Sequence, residues 1–236
     1  MSNAKKKPKQ QTSPKTSPKK SVLASPQVII PIAVILCCII ALAVFFAGSS
    51  DKDSDSDVSN TGESAYELDS SLTYYADIEI KDYGTITVKL DQESAPISTA
   101  NFVKLAESGF YDGLTFHRII ENFMMQGGAP KSDGSSGTPA KIVGEFPNNG
   151  YDNQLSHTRG AISMARAKDY NSGSSQFFIV HEDSTYLDGD YAVFGYVTEG
   201  IEVVDQVCES AQPTDGNGTI AADQQPIMTS VKIRTE

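Results

Sequence analysis

The chain has 236 residues, 39% apolar and 21% charged, enough to bury the core of one or two domains. Its formal charge of −11 is unevenly spread: residues 1–50 carry seven Lys and no acid, whereas 51–236 hold all 30 acids against 12 Lys and Arg, a net −18. This excludes a uniformly acidic soluble protein and a nucleic-acid binder acting through its folded part, while three Cys and three His without clustering exclude a disulfide scaffold and argue against a metal site.

Residues 1–27 are rich in Lys, Ser, Thr and Pro, a composition that buries nothing and predicts a disordered tail. Residues 28–47, VIIPIAVILCCIIALAVFFA, form a run of 20 without a charge. As a helix, at about 1.5 Å per residue, it matches the roughly 30 Å hydrocarbon core of a bilayer. Seven Lys precede the run and Asp51, Asp53, Asp55 and Asp57 follow it. The Lys excess predicts a single-pass cell-membrane anchor with a cytoplasmic N-terminus and an extracellular domain, so the lipid bilayer is an expected partner through 28–47. A cleaved signal peptide is the competing reading. Against it stand the long leader and Phe45, which occupies a position that must be small in a cleavage site near Ala47. Residues 48–71 are polar and acidic and read as an extended spacer.

Residues 72–236 read as one mostly β domain. Tyr75–Ile80 and Thr85–Leu90 alternate apolar and polar around a turn at Asp82-Tyr83-Gly84, predicting a hairpin. Pro96–Ser108 is helical and stops at Gly109. Strands are expected over Leu114–Ile120, Gly160–Ala165, Gln176–His181, Ala192–Thr198 and Ile227–Arg234, with a second helix over Ile201–Glu209. Many short antiparallel strands with two helices predict a closed β-barrel capped by the helices. The long Gly-, Pro-, Asn- and Ser-rich stretch Ala129–Ser156 reads as a functional loop. Cys208 reads as a small buried apolar residue.

Taken alone, Arg118 on its apolar strand would be a surface ion-pair residue. With Phe123, Met124, Met125 and Phe178 as candidate neighbours, it becomes a guanidinium beside an apolar cleft, a place to bind something polar. The row Asn122-Phe123-Met124-Met125-Gln126 breaks strand alternation and suggests a groove lining. No activated nucleophile, acid pair or metal-ligand set accompanies it, and Gly134 to Gly137 is not a nucleophile elbow.

Three blocks carry a resemblance. FHRIIENFMMQGG from Phe116, SSQFFIV from Ser174 and YLDGDYAVFG from Tyr186, in this order, resemble the cyclophilin family of peptidyl-prolyl cis-trans isomerases over roughly Leu72 to Glu236. The resemblance implies a cyclophilin-type barrel, no cofactor, and proline-containing polypeptides as partners. It implies Arg118 as the catalytic residue and Phe123, Met124, Phe178 and Leu187 as the proline pocket. Gln126 would anchor the substrate backbone and brace Arg118, Gln176 would hold a further groove position, and Ala165 would lie beside the residue preceding proline. Arg166, Tyr186 and Tyr191 depart from the usual Asn, Trp and His, and Glu121-Asn122 from the usual Pro-Gly. Cyclosporin is an expected ligand with affinity reduced by Tyr186.

Prolyl isomerisation needs little chemistry. The barrier is the loss of amide resonance, about 18–20 kcal/mol, and uncatalysed exchange takes tens to hundreds of seconds. A gain of about five decades is about 7 kcal/mol. One charged donor at the pyramidalising prolyl nitrogen supplies about 3–4 kcal/mol, and preferential binding of the twisted peptide the rest. The expected function is isomerisation of X–Pro bonds in secreted or surface chains, with a non-catalytic proline-peptide chaperone or adaptor as the alternative. Asn217-Gly218-Thr219 is in addition a glycosylation sequon, meaningful in a eukaryotic host.

Overall fold

The computed structural model describes residues 66–135 and 139–236. The expected tail (1–27) and anchor (28–47), and the spacer up to residue 65, lie outside the described residues. Among the described residues no helix is long and apolar enough to cross a membrane.

Strand β1 (Tyr74–Ile80) turns Tyr74, Ala76, Ile78 and Ile80 inward, as its alternation requires. It pairs with β2 (Gly84–Leu90) from Ile80 opposite Gly84 to Tyr75 opposite Lys89. The turn between them needs positive φ at Asp82 (66°) and Gly84 (130°), conformations that Asp and Gly tolerate. Helix α1 (Pro96–Glu107) begins with a Pro that has no N–H to leave unsatisfied, and buries Phe102, Val103 and Ala106. Its N-terminus has no local side-chain cap. Instead the buried Glu145, 48 positions downstream of Ile97, accepts from the N–H groups of Ile97 (2.9 Å) and Ser98 (2.7 Å). A carboxylate at the positive end of the helix satisfies two orphan donors at once.

The remaining elements are β3 (Thr115–Ile120), β4 (Met124–Ala129), β5 (Ala161–Met164), β6 (Phe177–Val180), β7 (Val193–Glu199), α2 (Ile201–Ser210) and β8 (Met228–Thr235). Short 3-10 turns lie at Pro147–Asn149 and Thr185–Leu187. The antiparallel sheet runs β3-β4-β6-β5-β7-β2-β1-β8. It is a strongly curled half-barrel, which corrects the expected closed barrel. Its edge strands β3 and β8 meet only at one end, where Gly113 N–H donates to Met228 O and Met228 N–H to Leu114 O, each at 2.8 Å. A bridge of Thr115 with Ile227 completes that contact.

The sequence pattern does not predict strand β4. The reason is that both of its faces are buried. Met125 enters the main core, whereas Met124 joins a second cluster with Phe123, Ala161, Phe178, Val180, Leu187 and Val193. Strand β6 divides in the same way, with Phe177 and Ile179 in the core and Phe178 and Val180 in the second cluster. On the core side Phe102 of α1 packs edge-on to Phe177 with centroids 5.4 Å apart. The second cluster lies across the sheet from α1, and it floors the site described next.

Residues 66–71, read from sequence as the end of the spacer, reach onto this domain. Tyr66 hydroxyl donates to Glu107, Gln92 Nε2 donates to Asp69 O at 3.3 Å, and Leu68 packs on the core. Cys208 is buried and free, its thiol pushed up to about 12 by burial first.

Candidate active site

One cavity collects ten of the eleven residues singled out from sequence. Phe123, Met124, Phe178 and Leu187 make its apolar part, and Arg118, Gln126, Gln176, Ala165, Arg166 and Tyr191 its rim and walls. Tyr186 is not among the lining residues. It stands half exposed beside the cavity, its ring centroid 6.0 Å from that of Phe123.

Pairing of three neighbouring strands sets the polar wall. Arg118 on β3 is directly opposite Gln126 on β4, and Gln126 opposite Phe178 on β6. Gln126 Oε1 accepts from Arg118 Nη1 at 3.4 Å, while Gln126 Nε2 donates to Gln176 Oε1 at 3.0 Å. Gln176 Nε2 in turn donates to Gly134 O at 3.0 Å. This chain fixes the amide orientations and leaves little rotational freedom in the wall.

Arg118 is 9% exposed. Its Nε donates to Asn217 O at 2.8 Å, and its guanidinium carbon lies 5.9 Å from the Phe123 ring centroid. Nη2 is buried and has no partner. Charged donors are costly to leave unpaired away from water, and this one belongs to a side chain that lines the cavity.

In the sequence the loop that holds Arg118 stands out only as a sequon. Asp215 gathers it: its carboxylate accepts from Asn217 N–H (2.9 Å), Thr219 N–H (3.0 Å) and Thr219 hydroxyl (2.9 Å). Those bonds hold the Asp215 carboxyl below the usual carboxylate range. Gly218, at φ 85°, passes so close to β3 that a Cβ there would sit 2.4 Å from Ile120 Cγ1. The loop is thereby pressed on the strand, and Asn217 O meets Arg118.

The floor has its own brace. His157 stacks on Phe178 (5.8 Å, 14° between planes), with Nδ1 2.7 Å from Asp188 Oδ1 and Nε2 3.0 Å from Ser163 Oγ. Burial holds the imidazole below its ordinary pKa against the pull of Asp188. A neutral ring gives Nδ1–H to the carboxylate and accepts from Ser163 at Nε2. The trio resembles a nucleophilic triad only in composition. Ser163 is wholly buried, and none of the three lines the cavity. Its work is to tie Phe178 and the turn bearing Leu187 to β5.

Before Phe123 the turn takes φ 61° at Asn122, a conformation Asn tolerates, so the Glu121-Asn122 departure is absorbed locally. Asn122 N–H also donates to His181 Nδ1 at 3.0 Å. Sequence reasoning missed His117, Ser132, Asp133, Gly134, Asn217 and Thr219, which complete the lining. Only their membership in the FHRII block, the long loop and the sequon marked them in advance. Among the described residues no group of His, Cys, Asp and Glu could hold a metal ion.

With this geometry in view, the comparisons are specific. A family model described as cyclophilin type peptidyl-prolyl cis-trans isomerase/CLD matches residues 75–235. The chain is 48% identical over 124 residues to peptidyl-prolyl cis-trans isomerase B of Bacillus subtilis (strain 168), covering 52% of this chain and 82% of that one. It is 44% identical over 131 residues to peptidyl-prolyl cis-trans isomerase A of Dickeya dadantii (strain 3937), covering 53% and 67%. Among solved structures, a Cryptosporidium parvum cyclophilin type peptidyl-prolyl cis-trans isomerase superposes with a TM-score of 0.61 at 28% identity, covering 70% of this chain and 99% of that one. A crystal structure of the same protein in the presence of the dipeptide Ala-Pro gives 0.60 at 29%, covering 69% and 99%.

Proposed function

The chain belongs to the cyclophilin-type peptidyl-prolyl cis-trans isomerases, and from that premise we propose that it isomerises X–Pro bonds of secreted or surface polypeptides outside the cytoplasm, with Arg118 as its catalytic residue. One observation carries the assignment of Arg118. Its Nη2 is the buried donor without a partner, and it belongs to a side chain lining the same cavity as the apolar floor of Phe123, Met124, Phe178 and Leu187.

In this reading the proline ring rests on that floor. Gln126 and Gln176 hydrogen-bond the peptide backbone, and Arg118 donates to the prolyl nitrogen as resonance is lost and its lone pair localises. The interaction exists only in the twisted state, so it lowers the barrier without tightening the ground state. Gln126 and Asn217 O hold the guanidinium in place beforehand, which spares reorganisation at the moment of twisting. No bond is made and no proton moves. Exchange spectroscopy on an Ala-Pro peptide with the purified protein tests the proposal: catalysed cis-trans exchange is expected, and binding without exchange would overturn it.

The location outside the cytoplasm rests on the Lys-rich residues 1–27, the uncharged run 28–47 and the acidic stretch that follows. Protease added to intact cells should release the domain and leave the Lys-rich tail protected. A domain that stays protected, or one shed into the medium without protease, would overturn the anchored topology.

A further inference from the structure

Arg166 stands on the cavity wall in an unusual setting. Its guanidinium carbon lies 4.5 Å from the ring centroid of Tyr191, 4.8 Å from Tyr170 and 5.2 Å from Phe146. Nε donates to Asp190 O at 2.9 Å and Nη1 to Ala167 O at 3.0 Å. Among the described residues it forms no ion pair, although the domain is strongly acidic. Rings contact a guanidinium through its faces and leave its in-plane N–H edge available. The two main-chain bonds use Nε and Nη1, and Nη2 is left over. Tyr191 then links this cation to the floor, edge-on to Phe178 at 5.9 Å. The result is a fixed positive charge one ring away from the proline position, half-buried and uncompensated. Asp133 is the one acid that also lines the cavity among the described residues, and its carboxylate accepts from Ser135 N–H at 2.8 Å.

We infer that Arg166 is a specificity residue that favours substrates with an acidic side chain on the residue preceding proline. The inference rests on the proposed isomerase site, in which that residue runs past Ala165. A lone surface pair is worth only a few-fold in affinity, so Glu-Pro should gain about threefold and Lys-Pro lose about threefold relative to Ala-Pro. The Glu-Pro to Lys-Pro ratio of kcat/KM should therefore be about ten at low salt, and shrink towards one at about 1 M salt, where screening acts within about 3 Å.

The test is a peptide series, Ala-Xaa-Pro-Phe with Xaa as Glu, Ala or Lys, assayed on the full chain and on Arg166→Gln and Arg166→Glu. The expected ratio is about ten for the native protein, near or below one for Arg166→Gln and inverted for Arg166→Glu. Affinities from NMR titration of the same peptides should follow the same order, and they remain readable in a variant that turns over poorly. A native ratio near one, or a ratio unchanged in Arg166→Gln, would overturn the inference. Failure to isomerise any of the peptides would instead remove the isomerase reading, and the titrations would still decide the charge preference.

Discussion

Replacing Arg118 by Ala tests the proposed catalytic donor directly. The substitution removes the Nε bond to Asn217 O at 2.8 Å, the Nη1 contact with Gln126 at 3.4 Å and the unpartnered Nη2. The first two hold the side chain and the last is the donor proposed to act on the substrate, so the expected loss is that of one preorganised charged donor: about 10²–10³ in kcat/KM, or about 2.7–4 kcal/mol. Affinity for the ground-state peptide should move far less, because Phe123, Met124, Phe178 and Leu187 keep the ring site. Stability should also hold. Arg118 forms no ion pair among the described residues, and removing a nearly buried unpaired charge offsets the two acceptors that lose a donor. The melting temperature is expected within about 5 °C of the native value. Arg118→Lys should be nearly as inactive as Arg118→Ala, since a compact ammonium cannot reach Asn217 O and the substrate together. NMR exchange on an Ala-Pro peptide gives the rates, and peptide titration the affinities. Near-native exchange would remove Arg118 from the mechanism, and an equal loss of affinity and rate would make it a substrate anchor.

Asp215→Ala should cost about tenfold in kcat/KM with little change in KM, because it releases Asn217 O and with it the orientation of Arg118; an unaltered Arg118 Nε–H resonance in the variant would refute the linkage. Glu145→Ala should cost about 2–4 kcal/mol in urea unfolding, Glu145→Gln less, since a buried carboxylate caps two N–H groups of α1. His117 is held down to about 4 by burial first, with the neighbouring Arg118 adding to the shift. Its folded form stays neutral while the unfolded chain takes up a proton below about 6.5, so stability should fall by about 3 kcal/mol as pH drops from 6.5 to 4. Melting curves across that range should flatten in His117→Gln. Tyr186→Trp should tighten cyclosporin inhibition about tenfold by adding an indole donor at the cavity edge, and an unchanged inhibition constant would show that position 186 does not set the affinity.

What could be read in advance followed physical lines. The hairpin of β1 and β2 announced itself because one face is buried and the other wet, so Ile78 and Ile80 alternate with Asp77 and Glu79. Strand β4 did not, because Met124 and Met125 are buried on opposite faces and the period of two disappears. That the sheet stops short of closure was equally illegible: it depends on how far β8 returns along β3, and no local pattern records that distance. Arg118, Gln126 and Phe178 lie in contiguous blocks, and pairing of adjacent strands brings them together. Asn217 and Thr219 arrive from a loop almost a hundred residues away, held by an Asp whose partners are all within four positions. Glu145 is illegible for a related reason, being a helix cap supplied from outside the helix. Nothing in 96–108 asks for it, and it stands in a stretch that reads only as loop.

The Asn217-Gly218-Thr219 loop also bears on how the protein can be produced. Its main chain grips Arg118, and Asn217 Oδ1 is itself buried. An oligosaccharide attached to that amide would stand beside the cavity that Asn217 lines. Secretion through a glycosylating host would therefore put a bulky sugar on the residue whose main chain holds Arg118. Material made in a host that does not glycosylate, or carrying Thr219→Val, escapes the modification; the former alone also keeps the Thr219 hydroxyl that Asp215 uses.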